Sequence, residues 1–243
     1  MTILSLIKRT ALHHKHLALQ AIMIDDGGWQ RPERYGSPEE EMSAVRAGVG
    51  LCDMSPVGKL DVKGKDCVPL LERTFSLSVT PGIGQIQRVI LQDAEGVAVS
   101  TGFCCRLSND QVLLLTAPDA TTKVEQRLMQ QVGVRDECVH LTNLTSALTA
   151  VQLVGPHSRD LLGKLTALDL SPPQFGDLAC TQGSVANVHA IVIRADVGGM
   201  LAYEVYCGRE FGEYLWDALR DAGQEFGAVP FGVAAQRLLR AEE

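Results

Sequence analysis

Short runs of strand-forming residues, each closed by a turn rich in Gly, Asn or Asp, recur along this chain between stretches of helical period. A parallel sheet requires strand–helix–strand units in strict succession. Hairpins interleaved with helices instead favour an α+β fold with largely antiparallel sheets and flanking helices. The spacing of Leu12, His16, Leu19 and Met23 predicts an amphipathic helix over 3–24, stopped by Gly27-Gly28 and followed by a polar loop through Pro32 and Gly36. Ser37, with Pro38 in the first turn and Glu40 three residues on, predicts a capped helix to about Arg46. Gly50–Met54 and Lys59–Val62 look like a hairpin closed by 55–58, and a helix should run from Asp66 to Phe75. A second hairpin is expected from 87–92 and 97–107 about a turn at Asp93–Gly96. Strand 111–116 and a helix over 119–131 follow it.

The second half repeats the rhythm. Strand 148–154 precedes a helix over 157–165, and strands 188–194 and 201–207 are joined across Gly198-Gly199. Helices over 210–222 and from Val233 to the end complete the pattern. No linker or low-complexity segment interrupts the 243 residues, which suit one large domain or two interlocked small ones.

With 46 % hydrophobic and 21 % charged residues, the chain can bury a sizeable core. A net charge of -7 argues against nucleic acid and against an anionic membrane surface as partners. No apolar run approaches the ~18 residues of a membrane span, and Lys8 and Arg9 interrupt the N-terminus too early for a signal peptide, so the chain reads as cytoplasmic. Seven cysteines without C-x-x-C spacing read as buried thiols rather than metal ligands. His13, His14 and His16 lack the i, i+4 spacing of a helical metal site, so His16 reads as a packed structural residue and no metal is expected.

Several motifs, in order and at matching spacing, resemble one family. Leu12, His16 and Ala21 fit its first helix. Residues 23–35, MIDDGGWQRPERY, are similar to its M-V-x-F-x-G-W-x-x-P-x-x-Y, with Asp26 in place of Phe. Ala44-Val45-Arg46, then GLCDMSPVG over 50–58, and Leu153-Val154-Gly155-Pro156 are similar to its A-V-R, G-L-x-D-x-S-x-x-G and L-Q-G-P, with Pro56 where the family usually has His and Val154 in place of Gln. Arg194 and Gly199 keep the spacing of R-T-G-Y-T-G, and Tyr203-Glu204-Val205-Tyr206 is similar to F-E-I-Y. Gly232, Ala235, Leu239, Arg240 and Glu242 echo its closing helix. This is the pattern of the glycine-cleavage T-protein (aminomethyltransferase, GcvT) family, and it covers the chain from about residue 10 to the end.

The resemblance implies the GcvT-like folate-binding fold and tetrahydrofolate as cofactor. The folate accepts a one-carbon unit from an aminomethyl group on the lipoyl arm of a carrier protein, with release of ammonia. It also implies a further barrel-like domain after the position of Glu243 that helps to close the folate site, so either a partner chain supplies that wall or the site stays open. Glu204 falls where the family places the carboxylate that receives the adjacent N–H donors of the pterin. Tyr203, Arg194, Thr116 and Arg240 are the other positions carried over as cofactor-binding. The catalytic acids do not carry over: Ser100 and Thr101 stand where the family has its Asp pair, and hairpin geometry keeps Asp93 near Gly96, too far to substitute. Thr116 replaces an Asn, Val197 a Tyr, and Gln236 an Arg that could meet the negatively charged folate tail.

These departures imply impaired or altered one-carbon transfer. Two further readings remain open. One is a non-catalytic folate-binding protein assisting iron–sulfur enzyme assembly, although the K-G-C-x-x-G-Q-E motif of those relatives is absent. The other is the folate-domain subunit of an amine-oxidising complex, whose version of the Trp29-Gln30-Arg31-Pro32 run this one resembles.

Overall fold

The structure is a computed structural model that describes residues 7–75, 81–134 and 137–241. In chain order its first elements are β1 (Lys8–Arg9), α1 (His13–Ala18), β2 (Ile22–Asp26), β3 (Trp29–Arg34), α2 (Pro38–Ala47) and β4 (Val49–Asp53). Then come β5 (Gly58–Lys63), α3 (Cys67–Phe75), β6 (Ile86–Gln92), β7 (Ala98–Ser108), β8 (Gln111–Thr116), α4 (Thr121–Gln131) and β9 (His140–Asn143). The rest are β10 (Leu148–Val154), α5 (Ser158–Gly163), β11 (Ala179–Val185), β12 (Val188–Arg194), β13 (Ala202–Gly208), α6 (Gly212–Gly223), β14 (Ala228–Pro230) and α7 (Val233–Ala241).

The chain forms two compact units. The first comprises the described residues up to Pro56 together with those from Ala147 onward. Its main sheet has the order β11-β12-β13-β10-β4-β14, antiparallel except for the β14–β4 pair, and a small sheet β1-β3-β2 accompanies it. One face of the main sheet carries Leu51, Val151, Leu153, Tyr203, Val205 and Val192 into a core shared with Leu161, Leu215 and Trp216 of the helices. The second unit, Val57–Ser146, holds the sheet β6-β7-β8-β5-β9. Leu60, Val62, Val112 and Leu114 pack there against Leu70, Leu71, Val124 and Leu128 of α3 and α4. The α+β reading with largely antiparallel sheets and flanking helices therefore holds.

The long N-terminal helix does not form. Residues 3–6 lie outside the described residues; beyond them α1 covers only six residues, and Gln20 in the left-handed region ends that turn. Ile22–Asp26 is a strand paired with Trp29–Arg34, so the stretch expected as a polar loop is β3. The reason is the two-residue loop Gly27-Gly28, with φ of 61° and 78°, the geometry that a tight hairpin requires and glycine supplies at little cost. The Gly pair is a turn, not a helix stop.

The capped helix forms as expected. Ser37 accepts from the Glu40 amide, and the Glu40 carboxylate accepts from the Ser37 amide. The hairpin expected across 50–62 is absent: β4 pairs with β10 and β14, β5 with β8 and β9. Asp53 Oδ1 accepts from the Ser55 amide, and the Ser55 hydroxyl accepts from the Ala150 amide. These bonds carry the chain onward along β10 rather than back onto itself. Strands β9, β11 and β14 have no counterpart in the sequence reading. Of these, β11 joins β12 across Ala186-Asn187, both at positive φ, a turn without the glycine signal of the hairpins at Gly27-Gly28 and Asp93–Gly96.

Gly155, in the L-V-G-P motif, follows β10 with φ +128°. A Cβ there would lie 2.4 Å from the Gly48 carbonyl oxygen and 2.5 Å from that of Val45. Since both are backbone atoms that cannot swing aside, Gly155→Ala is expected to lower the unfolding free energy by about 1–3 kcal/mol in urea denaturation.

Candidate functional site

The second face of the main sheet is unlike the first. Alternation along β13 sends Tyr203, Val205 and Cys207 into the core and leaves Glu204 and Tyr206 on the opposite side. The register places Gln152 of β10 directly across from Glu204, with Cys52 of β4 as its other neighbour. Glu204 is 7 % exposed, Gln152 2 % and Tyr206 1 %. A solvated strand face would leave such a glutamate in water; this one is enclosed.

An enclosed carboxylate needs donors, because losing water without replacement costs several kcal/mol. Gln152 Nε2 donates to Glu204 Oε1 at 3.1 Å, and the Tyr206 hydroxyl donates to Glu204 Oε2. Helix α7 adds Gln236, whose Nε2 reaches Gln152 Oε1 at 3.3 Å and the Met54 sulfur at 2.8 Å. The α7 N-terminus is fixed separately, by the Gly232 amide donating to Glu41 Oε2 at 2.9 Å. Cys52 beside this layer has its thiol pushed up to about 12, chiefly by burial, so it stays protonated and inert.

The other carried-over positions lie elsewhere. Tyr203 is fully buried on the opposite face, its ring stacked on Phe175 at 6.2 Å and its hydroxyl taking a hydrogen bond from Arg159. Arg194 pairs with Tyr203 in the strand register and forks onto Asp196 at 3.1 and 2.9 Å, while its third contact is the Phe175 carbonyl. Asp177 in turn accepts from the Asp196 amide. Tyr203 and Arg194, carried over as cofactor-binding, therefore sit on the sheet face opposite Glu204. Strand alternation turns both away from Glu204, and together they brace the 175–177 loop and the hairpin that Gly198-Gly199 closes.

Thr116 lies in the second unit, at the end of β8, where its hydroxyl bonds that of Thr121 at 2.8 Å and the Ala117 carbonyl at 3.0 Å. Ser100 directs its hydroxyl to the Thr101 carbonyl at 2.7 Å, and Asp93 Oδ1 accepts from the amides of Glu95 and Val97, which keeps it in the turn. Arg240 is exposed in the last turn of α7, one helical turn beyond Gln236. Gln236 is buried within the polar layer, so this position does not face outward to meet a ligand's tail. Gln152 was missed in the sequence, though a signal existed. It is the one amide in the strand run 148–154, which is apolar apart from it and Thr149, and buried polar residues are the informative exceptions.

A second buried polar group secures β4 and α1. His16 Nε2 meets Asp53 Oδ2 at 3.0 Å, its Nδ1 meets the Tyr35 hydroxyl at 2.8 Å, and its ring stands edge-on to Trp216. His16 is thus the packed structural residue expected. Burial opposes ionisation of Asp53, but the bonds from His16 and Ser55 outweigh it and hold the carboxyl down at about 2.

Solved structures identify this architecture. Aminomethyltransferase T of the glycine cleavage system from Bartonella henselae shares the fold at a TM-score of 0.82 and 20 % identity, over 96 % of this chain and 62 % of that one. A chain of heterotetrameric sarcosine oxidase from Corynebacterium sp. U-96 matches at 0.65 and 20 %, over 91 % of this chain and 97 % of that one. The fold is thus that of an aminomethyltransferase-type domain. The chain belongs to the GCVT N-terminal domain family, whose pattern matches residues 12–243. Among curated relatives, an aminomethyltransferase of Anoxybacillus flavithermus is 33 % identical over 98 % of this chain. Sarcosine oxidase subunit alpha of Corynebacterium sp. (strain U-96) is 32 % identical over 96 % of it. The chain spans 64 % of the former and 26 % of the latter. No helix among the described residues is long and apolar enough to cross a membrane.

Two outcomes test the Asp53 site. Its folded pKa lies below the unfolded value of about 3.9, so its stabilisation is present above that pH and is lost as pH falls toward 2. Asp53→Asn should flatten this acid limb of the stability curve, followed by circular dichroism. At neutral pH, His16→Leu leaves the carboxylate buried without its partner and should cost about 3–5 kcal/mol in urea denaturation.

Proposed function

We propose that this chain is a tetrahydrofolate-binding module of the aminomethyltransferase type, in one-carbon metabolism, with impaired or altered turnover. The observation that carries the proposal is the enclosed Glu204 carboxylate, held by Gln152 and Tyr206 on a face where alternation alone would place a solvated residue. The donor set fits the ligand: a planar edge with two adjacent N–H groups pairs with a carboxylate through two charge-assisted bonds, and a preformed buried carboxylate lowers the ordering cost. Folate when bound would supply the nitrogens that carry the one-carbon unit. The role of this chain is to orient the pterin through Glu204 and to exclude water from that contact.

Turnover calls for a carboxylate near the reacting nitrogens to stabilise developing positive charge. Ser100 and Thr101 carry none, and Asp93 is committed to its turn. The module therefore acts as a folate binder with a weakened transferase activity.

A second reading places the module in an amine-oxidising assembly. The sarcosine oxidase subunit alpha relative supports it. So does the fold shared over 97 % of a chain in a heterotetrameric enzyme, a chain of comparable extent. In this reading partner chains complete the site; in the first, the partner is a lipoylated carrier protein.

Calorimetric titration with tetrahydrofolate should give saturable binding that Glu204→Ala weakens by about 1.5–3 kcal/mol, the worth of a hydrogen bond to a charged group. Absence of binding by the parent protein rejects the proposal. A methylene-transfer assay with a lipoylated carrier should give little or no turnover, and robust turnover would reject the impairment. Recovery of an amine-oxidising partner from native extract would favour the assembly reading.

A further inference from the structure

The buried polar layer has a direction. Glu204 as a carboxylate only accepts, so the carboxamide of Gln152 must turn its Nε2 end toward it, as observed at 3.1 Å. The Oε1 end of Gln152 then faces α7 and needs a donor there, which Gln236 Nε2 provides at 3.3 Å, with the Met54 sulfur at 2.8 Å beside it. Flipping either amide sets oxygen against oxygen: Gln236 Oε1 against Gln152 Oε1, or Gln152 Oε1 against the carboxylate. With Gln152 and Gln236 at 2 % and 4 % exposure, water is poorly placed to rescue the flipped arrangement.

We propose that Gln236 is a positioning residue for ligand binding: by donating to the Gln152 oxygen it locks in place the amide that Glu204 has oriented, and so holds where the Glu204 carboxylate presents its acceptors. This rests on the folate reading of Glu204 but concerns a residue that need not touch the ligand. It also gives the departure from Arg a physical content. A guanidinium has donors only and ionises permanently, whereas the amide continues a neutral relay inside the sheet layer. Gln236 is not what seats α7. Phe231 is buried at the helix entrance, the Gly232 amide binds Glu41, and Leu239 packs in the last turn.

The test is a double-mutant cycle with Gln236→Met and Gln152→Met, unbranched replacements that keep side-chain length and helix compatibility. Calorimetric titration with tetrahydrofolate should show Gln236→Met weakening binding about tenfold, as expected for a lost hydrogen bond to a polar network. In the Gln152→Met background the same change should have almost no further effect. A ligand-free measurement runs beside it. The Gln152 side-chain amide signals, identified by NMR through their loss in Gln152→Met, should shift in Gln236→Met, with the urea midpoint lowered as a buried acceptor left without its donor requires and the far-UV spectrum unchanged. Additive losses in the cycle, or unmoved Gln152 signals, overturn the relay. If the parent protein binds no tetrahydrofolate, the folate reading falls, and the amide signals alone still decide whether the relay exists.

Discussion

A carboxylate can remain inside a protein sheet only if its lost hydration is replaced on both oxygens, and that requirement organises the first unit. The partners of Glu204 come from its own strand two residues on and from the strand directly opposite, so the register of β10 against β13 is part of the site. A slip of one residue would deliver Val151 or Leu153 to the carboxylate and turn Gln152 into the apolar core. Hydrophobic alternation on one face thereby enforces polar pairing on the other. The same strand pair carries the core and the candidate site.

Elements whose signal is local were legible in the sequence. The Ser37 capping box, the hairpin about Asp93–Gly96 and the strand Gln111–Thr116 each form where their residues indicate. What failed was pairing. Gly50–Met54 and Lys59–Val62 have the composition of a hairpin, yet each finds partners nearly a hundred residues or tens of residues away, and nothing local to 50–62 encodes Val151 or Leu114 opposite them. The N-terminal helix failed for a related reason. Its helical spacing was real over one and a half turns, but the Gly-Gly turn gave 22–26 a strand partner, and pairing overrode propensity.

Legibility of the candidate site divides along strand parity. Glu204 is located by the motif and by alternation, whereas its neighbours in sequence, Tyr203 included, are carried to the other face. Arg194, Asp196 and Asp177 form a brace under the Gly198-Gly199 hairpin. Motif spacing therefore records two demands at once, one for an enclosed carboxylate and one for a stable loop, and only the fold separates them. Gln152 and Gln236 lie 84 positions apart, and their contact exists only after β10 and α7 have docked.

Strand β4 ends at Asp53 and its hydrogen-bonded neighbour β10 begins at Leu148, with the entire second unit threaded between them. On a ribosome this order has a consequence. The second unit has all of its strands available once Ser146 has emerged and can condense autonomously, while the earlier segment must wait with an unsatisfied β4 edge for sequence not yet synthesised. Nascent-chain quality control would thus act most strongly on the segment that ends at Asp53. Its exposed apolar strand Val49–Leu51 has no β10 partner until Val151–Val154 have been synthesised, about a hundred residues later.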